Sequence, residues 1–224
     1  TCRCRVLDGE VMEGTGQQQR PLDSEQDFVL ACQTYLTEPC TIEIPEPEEV
    51  VVHPACVVKS TVLSADWIAH DIKQLVLRPT RTFDFSPGQY AELRFTPQLA
   101  RPYAMAGLCG DAALEFHVRV VPGGRASGHV AQGLKVGDMV RVSGPLGTSY
   151  LRRRHAGPIL CAAGGTGLAP VLSIVRGAIA VDLPNPIHVY IGARTPRDVY
   201  GLEKLKKLQR EHPSLQLHVS VSSG

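Results

Sequence analysis

The sequence predicts a multi-domain protein in which an antiparallel β-barrel is followed by an α/β domain with a parallel sheet. Short alternating apolar and polar runs, separated by turn signals such as Ser86-Pro87-Gly88, fill the middle of the chain, which is typical of an antiparallel barrel. Later apolar runs alternate with helical stretches, which indicates parallel strands joined by helices. A cysteine-containing segment precedes both. We place the domains at residues 1–47, 48–153 and 154–224.

The composition of the chain gives no support to nucleic-acid or membrane binding. The 224 residues are 43% hydrophobic and 20% charged, with a formal net charge of +1, so we expect neither a nucleic-acid nor a membrane partner. The sequence contains no basic-then-apolar signal segment, and we expect a cytoplasmic monomer. Because the chain begins at Thr1 and stops at Gly224 directly after a strand-like run, we also expect a fragment truncated at both ends.

The first segment is rich in cysteine. Cys4–Val11 alternates and predicts a strand, and the proline- and glutamate-rich residues 44–49 predict a linker. Because the sequence has no secretory signal, we expect the early cysteines to bind a metal or a cluster rather than to form disulfides. A zinc site stays an alternative, although structural zinc prefers C-x2–4-C pairs. The early cysteines are Cys2, Cys4, Cys32 and Cys40, and the scattered Cys56, Cys109 and Cys161 are expected to be buried.

The barrel and the α/β domain each have a predicted set of elements. The barrel strands are Val57–Leu63, Ile72–Leu77, Gln89–Phe95, Pro102–Ala106, Leu114–Val120 and Met139–Ser143, with a short helix between Ser127 and Gln132. The later elements are a buried strand Pro158–Ala163, helix Val171–Ala180, strand Ile187–Ile191, helix Arg197–Glu211 and strand Leu215–Val221. A membrane helix over Pro158–Val175 is disfavoured because glycines and a proline interrupt its middle.

One motif combines a cation, an aromatic ring and small residues. It is Arg101-Pro102-Tyr103-Ala104. A guanidinium group suits phosphate oxygens, and a phenol ring offers flat area with a polar tip. The pattern therefore indicates a flat, phosphate-bearing ligand. The same sequence is also compatible with an ordinary strand that carries a salt-bridged arginine and a half-buried tyrosine.

A second motif follows on the next predicted strand. It consists of His117-Val118-Arg119 and then Gly123-Gly124-Arg125-Ala126-Ser127. Glycines that precede a helix start leave backbone N–H groups open to an anion. His117 alone is better explained as a side chain of a barrel strand than as a catalyst.

A third motif is the glycine loop after the first parallel strand. Gly164-Gly165-Thr166-Gly167 differs from the dinucleotide-binding G-x-G-x-x-G. It nevertheless stands where parallel sheets bind ligands, at the carboxyl end of a strand. Arg194 follows the next strand and is the nearest candidate cation.

Taken in this order, the motifs resemble the ferredoxin–NADP reductase superfamily, and in particular the reductases of naphthalene-type ring-hydroxylating dioxygenases. The resemblance implies that Arg101 and the amides after Gly123 hold the FAD pyrophosphate and that Tyr103 packs on the isoalloxazine. It also implies that the backbone of the 117–119 strand meets either the edge of the flavin ring or the chain that adjoins the ring. The glycine loop and Arg194 would hold NADH or NADPH. Ala104 departs from the family, which usually has a serine whose hydroxyl contacts flavin N5.

The first segment resembles the C-terminal half of a plant-type [2Fe–2S] ferredoxin, a β-grasp fold. Cys2 matches the third cluster ligand and Cys32 the fourth, whereas the first two ligands are absent from this chain. Substitution by Cys4 and Cys40 fits the spacing poorly. We therefore expect [2Fe–2S] in the full-length protein and no stable cluster in this chain.

The resemblance implies a reductase that passes hydride from NADH to FAD, and single electrons through [2Fe–2S] to a ferredoxin or Rieske oxygenase that dihydroxylates aromatic rings. No side-chain acid, base or nucleophile is needed, because the cofactors carry the chemistry. Ser222-Ser223-Gly224 lacks the cation that a 2′-phosphate requires, which favours NADH. The alternatives are a reductase for a monooxygenase system and a non-catalytic nucleotide-binding fragment.

Overall fold

A computed structural model describes residues 3–15, 18–21, 28–44 and 49–223 of the chain. Its contacts divide the chain into two compact units, Thr1–Val50 and Val51–Gly224. Cys2 and residues 45–48 of the expected linker lie outside the described residues. No helix of the described residues is long and apolar enough to cross a membrane.

The first unit consists of short strands around a small core of Cys4, Val11 and Val29. The predicted single strand Cys4–Val11 is wrong, because the chain turns at Gly9. Gly9 has a φ of +93°, and an added Cβ would lie 2.6 Å from the Cys40 Cβ, so a side chain there would be strained. The described strands are β1 Arg3–Asp8, β2 Val11–Thr15, β3 Gln18–Pro21, β4 Val29–Leu30, β5 Thr34–Leu36 and β6 Thr41–Glu43, in sheets ordered β4-β1-β6 and β3-β2-β5.

The second unit begins with the predicted barrel, which the structure confirms as a six-stranded antiparallel sheet ordered β10-β9-β12-β7-β8-β11. Met105, directly after the edge strand β10, forms a single bridge with Phe116 of the other edge strand β11, so the barrel is nearly closed. The strands are β7 Cys56–Trp67, β8 Ile72–Pro79, β9 Tyr90–Thr96, β10 Leu99–Ala104, β11 Leu114–Arg119 and β12 Met139–Leu146.

Alternate residues of these strands fill the barrel. Leu75, Leu93 and Phe116 are fully buried in its core, as the period of two requires. A short helix follows β11: α1 spans Arg125–Gly128 and continues as a π-helical turn to Gly133. It begins two residues before the predicted Ser127, because Gly124 takes an extended conformation (φ −71°, ψ 113°) and serves as the N-cap.

The remainder of the second unit is the predicted α/β arrangement. The strands pair in parallel in the order β13-β14-β15, and helices connect them. This arrangement confirms the strand–turn–helix prediction for Pro158–Val175. The elements are β13 Ile159–Gly164, α2 Leu168–Ala180, β14 Ile187–Ala193, α3 Leu202–Glu211 and β15 Leu215–Val221, with 3-10 turns at Gly165–Gly167 and Pro196–Asp198.

Three further local predictions are wrong. The helix predicted over Arg197–Glu211 is broken, because Gly201 adopts a left-handed conformation with φ +68°. The strand β13 is buried on one face only, since alternate residues such as Leu160 are exposed (71%) while α2 covers the other face. Of the three cysteines expected to be buried, Cys109 is exposed and Cys56 is half-buried, whereas Cys161 is buried.

Candidate functional site

The first motif lies on β10, at the open edge of the barrel. Arg101 and Pro102 are exposed, while Tyr103 and Ala104 are half-buried. The Arg101 guanidinium donates one hydrogen bond to the Ala100 carbonyl oxygen (2.9 Å), which leaves further N–H groups available to an anion. Burial raises the pKa of Tyr103 although the nearby Arg101 charge lowers it, so the phenol is neutral at physiological pH.

Tyr103 is part of a row of three rings with Phe95 and His129. The Phe95 ring lies 6.5 Å from the Tyr103 ring in an edge-to-face arrangement at 71°, and 5.7 Å from the His129 ring. Helix α1 packs against β10. The fold thus brings the first motif and the start of α1 together, as the flavin interpretation requires. Sequence reasoning missed Phe95 and His129, because ring contacts between a strand and a distant helix leave no local pattern.

The turn between β11 and α1 is built around two glycines. Gly123 has a φ of +71°, and an added Cβ there would meet no atom within 4 Å, so the turn faces open space. The Ser127 hydroxyl accepts a hydrogen bond from the Val121 amide (3.2 Å), and therefore it stabilises the turn. Arg125 is exposed, whereas the side chains of Val118 and Ala126 are buried, so these two can offer a ligand only their backbone.

The third motif opens onto a cleft of about 420 Å³ at the carboxyl ends of the parallel strands. Three residues of the predicted nucleotide site line it, namely Gly164, Gly165 and Arg194, and Arg119 of the barrel lines it as well. Thr166 and Gly167 belong to the 3-10 turn beside it and do not line it. The cleft is also lined by Gly192 and Ala193, directly before Arg194, and by Ser222 at the end of the third strand. The lining residues that sequence reasoning did not assign to a site are Asp71, Ile72, Asp198 and Ser220.

A series of polar contacts runs from Arg119 and Asp71 of the barrel through His70 to Asp198 of the α/β part. The Arg119 Nε donates to Asp71 Oδ2 at 2.7 Å. His70 Nε2 lies 3.8 Å from the Asp71 carboxylate and 3.5 Å from that of Asp198. Hydrogen bonds from the Thr195 hydroxyl and amide lower the pKa of Asp198, so that carboxyl is ionised at neutral pH. The cleft is therefore polar and carries charges of both signs.

Comparison with known proteins agrees with this architecture. The family models described as oxidoreductase FAD-binding domain and oxidoreductase NAD-binding domain match residues 55–150 and 162–223. The whole chain is 53% identical to 68% of the reductase component of the naphthalene 1,2-dioxygenase/salicylate 5-hydroxylase systems, a ferredoxin–NAD(P)(+) reductase of Ralstonia. It is 50% identical to 68% of the naphthalene 1,2-dioxygenase counterpart from Pseudomonas putida.

This chain belongs to the ferredoxin–NAD(P)+ reductase family. Among solved structures, the cytochrome P450 reductase GcoB of Amycolatopsis superimposes with a TM-score of 0.73 and 33% identity over 99% of this chain and 69% of the other. The reductase is therefore an NAD(P)H-dependent flavoprotein oxidoreductase, and its cofactors are FAD and NAD(P)H.

The residues of this reductase fit both cofactors. The exposed Arg101 and the open turn at Gly123 suit a diphosphate. In the cleft, an added Cβ at Gly164 would have only the Gly192 carbonyl oxygen within 4 Å, at 3.7 Å, and one at Gly165 only Arg119 Nη1, at 3.6 Å. The glycine-loop backbone is thus accessible to a dinucleotide, and side chains at these positions would enter its space.

The iron–sulfur part of the prediction lies largely beyond the described residues. Cys2 is outside them, and Cys32 is exposed on the 3-10 turn Ala31–Gln33. Among the described residues, no group of three or more His, Cys, Asp or Glu side chains could hold a metal ion. The assignment of Cys2 and Cys32 as ligands stays a prediction.

Proposed function

We propose that this reductase serves an oxygenase system by taking electrons from NADH and delivering them to a ferredoxin or a Rieske oxygenase component for aromatic ring dihydroxylation. The observation that carries the proposal is the position of Arg119. This residue belongs to the flavin barrel, yet it lines the cleft formed by the glycine loop. The two predicted cofactor sites are therefore adjacent, as direct transfer between two cofactors requires.

The roles of the site residues follow from their positions. FAD supplies the chemistry when bound, because a flavin takes up a hydride and releases electrons one at a time. Tyr103 would orient the ring, and Arg101 with the amides of residues 123–127 would neutralise the diphosphate. His117 and Arg119 would fix the strand beside the ring edge. Gly164–Gly167 and Arg194 would hold the dinucleotide.

We propose NADH rather than NADPH as the donor. Ser222 lines the cleft at the end of β15, and the hydroxyl and amide of Ser223 both donate to the Arg194 carbonyl oxygen at 2.8 Å. These hydroxyls are neutral, while Asp71 and Asp198 bring negative charge to the same cleft. A 2′-phosphate would meet like charge there and no cation from the third strand.

The remaining assignments complete the proposal. Residues 48–153 would form the FAD domain and 154–224 the NAD domain, while residues 1–47 would belong to a ferredoxin-like domain whose [2Fe–2S] cluster uses Cys2 and Cys32 with two ligands supplied by the full-length protein. Two of four thiolates do not hold a cluster, so this chain would carry none. A monomeric state and a cytoplasmic location stay predictions.

The test begins with the purified chain. We expect a flavin absorbance spectrum that NADH bleaches faster than NADPH, and an iron and sulfide content far below one cluster. Cofactor-free protein that neither binds FAD nor reacts with NADH would refute the proposal. Assays of the full-length protein with a dioxygenase ferredoxin and with monooxygenase components would identify the acceptor. A monooxygenase acceptor is the second candidate, favoured by the 33% identity to a cytochrome P450 reductase.

A further inference from the structure

The outward face of β11 connects the barrel to the α/β part of the second unit. Leu114, Phe116 and Val118 point into the barrel core, so the alternate residues Glu115, His117 and Arg119 point outward. Each of these three lies at the α/β part: Glu115 contacts Lys204, His117 contacts Tyr200 and Arg119 lies at the glycine loop. The strand β11 therefore contacts the α/β part at three separate points.

The central contact is buried and polar. His117 and Tyr200 are only 5% and 6% exposed. The His117 Nδ1 lies 3.0 Å from the Tyr200 hydroxyl, and the two rings meet edge to face at 5.5 Å. Burial, together with the charges of Glu115 and Asp71, raises the pKa of Tyr200, so this hydroxyl stays protonated.

The His117 imidazole also contacts the carboxylate of Glu115. Glu115 Oε1 lies 3.0 Å from His117 Nε2 and 3.2 Å from Lys204 Nζ. Although burial acts to raise the pKa of Glu115, hydrogen bonds from His117 and Gln74 and the charge of Lys204 lower it to about 2. An ionised carboxylate only accepts hydrogen bonds. His117 Nε2 therefore donates to Glu115, and in the tautomer that carries its only ring proton on Nε2, Nδ1 accepts from the Tyr200 hydroxyl.

Tyr200 links the contact with His117 to the residues that line the cleft. It follows the turn Pro196–Asp198, whose Asp198 lines the cleft. It precedes Gly201, where an added Cβ would lie 2.7 Å from Leu168 Cδ2. Leu168 is the first residue of α2, directly after the glycine loop. Movement of Tyr200 relative to β11 would therefore shift both the cleft wall and the helix that carries the loop.

We propose that the His117–Tyr200 hydrogen bond is a positioning contact that sets the distance and angle between the flavin barrel and the nicotinamide site. The inference rests on the proposed function, because the quantity it controls is the approach of NADH to the flavin. Neither residue is a catalytic group in this scheme. Misplacement by about 1 Å of groups that transfer a hydride can lower a rate by about 100-fold.

Tyr200→Phe tests the proposal, because it keeps the ring packing and removes only the hydroxyl. We expect the rate of flavin reduction at saturating NADH to fall by about 10- to 100-fold, while the dissociation constants of FAD and NADH stay close to those of the wild type. In flavin-free protein, backbone amides of residues 196–204 should exchange with deuterium faster. Tyr150→Phe is the matched control, because it loses a hydroxyl that accepts from the Val51 amide at 2.9 Å.

Unchanged reduction rates in Tyr200→Phe would overturn the proposal, and so would a lower thermal midpoint with no change in rate. If Tyr200→Phe does not fold, Lys204→Met takes its place, since Lys204 lies on the surface and acts through Glu115; a smaller loss of the same kind is expected. If the wild type itself does not react with NADH, the proposed function fails. The exchange comparison then decides the positioning contact alone, and equal exchange in both proteins refutes it.

Discussion

Arg119 on β11 and Asp71 in the β7–β8 hairpin form an ion pair, with 2.7 Å between Nε and Oδ2, and both line the cleft at the carboxyl ends of the parallel strands. The pair neutralises one of the two arginines that line the cleft. Removal of the carboxylate would leave Arg119 free to attract phosphate. The contact therefore bears on the choice between NADH and NADPH, which differ by one phosphate group.

We expect Asp71→Asn to raise the ratio of kcat/KM for NADPH to that for NADH by about fivefold, since a partly exposed charge contributes up to about 1 kcal/mol. Steady-state reduction of a dye acceptor with each nucleotide measures this ratio. Asp66→Asn is the matched control, because Asp66 is exposed at the end of β7 and does not line the cleft. Equal ratios in both variants would contradict the prediction.

Tyr103 gives a prediction about flavin affinity. Tyr103→Ala should weaken FAD binding by about 2 kcal/mol, roughly 30-fold, because a large aromatic contact surface is lost. Tyr103→Phe should bind nearly as well, since the neutral phenol contributes mainly its ring. Fluorescence titration of flavin-free protein measures both. Tyr190→Ala on the exposed face of β14 serves as the control, and a comparable loss there would show that the effect is not specific.

A substitution at Ala104 is expected to increase activity. The residue is half-buried at the end of β10, opposite Tyr90 of β9, and a hydroxyl adds only one atom. Ala104→Ser should therefore fold normally and donate a hydrogen bond toward the flavin ring. Stopped-flow traces with NADH should show faster flavin reduction, by several-fold for one added hydrogen bond of about 1 kcal/mol. Identical traces would count against the placement of Ala104 beside the ring.

The parts of the site that the sequence predicts are the local ones. Arg101 and Tyr103 lie two residues apart on one strand, and Gly164 ends another strand with Gly165 directly after it, so their spacing alone fixes a shared face or turn. The barrel and the parallel sheet were predictable for the same reason, because periods of two and of about 3.6 residues are visible in the chain.

The contacts that the sequence could not predict are long-range. Asp71 and Asp198 meet in the cleft only because the barrel and the α/β part adjoin, and His117 meets Tyr200 across 83 positions of sequence. His117 was interpreted as an ordinary strand side chain, and its pairing depends on which face of β11 the α/β part covers. The burial of β13 was overestimated because an apolar run alone does not show that its sheet is covered on one face.

Glu115 gives a prediction about pH. Its pKa in the folded protein, about 2, lies below the unfolded value of about 4.3. Glu115 therefore contributes to the free energy of unfolding at pH values above its unfolded pKa, and this contribution is lost as the pH falls from roughly 5 to 2. After allowance for solvent screening, the wild type should lose about 1 kcal/mol more than Glu115→Gln between pH 7 and pH 3.5. Urea unfolding at both pH values measures this difference, and Glu203→Gln, an exposed carboxylate, should behave like the wild type.

Gly201 gives the last prediction, which concerns the support of the glycine loop. Its φ is +68°, and an added Cβ would lie 2.7 Å from Leu168 Cδ2. Gly201→Ala should destabilise flavin-free protein by about 1–3 kcal/mol, which corresponds to a thermal midpoint lowered by roughly 2–10 °C. Gly128→Ala is the control, because Gly128 has a helical φ of −64° and no atom within 4 Å of an added Cβ. That variant should gain about 0.4–1 kcal/mol, and a loss as large as that of Gly201→Ala would mean that the left-handed conformation at Gly201 carries no special cost.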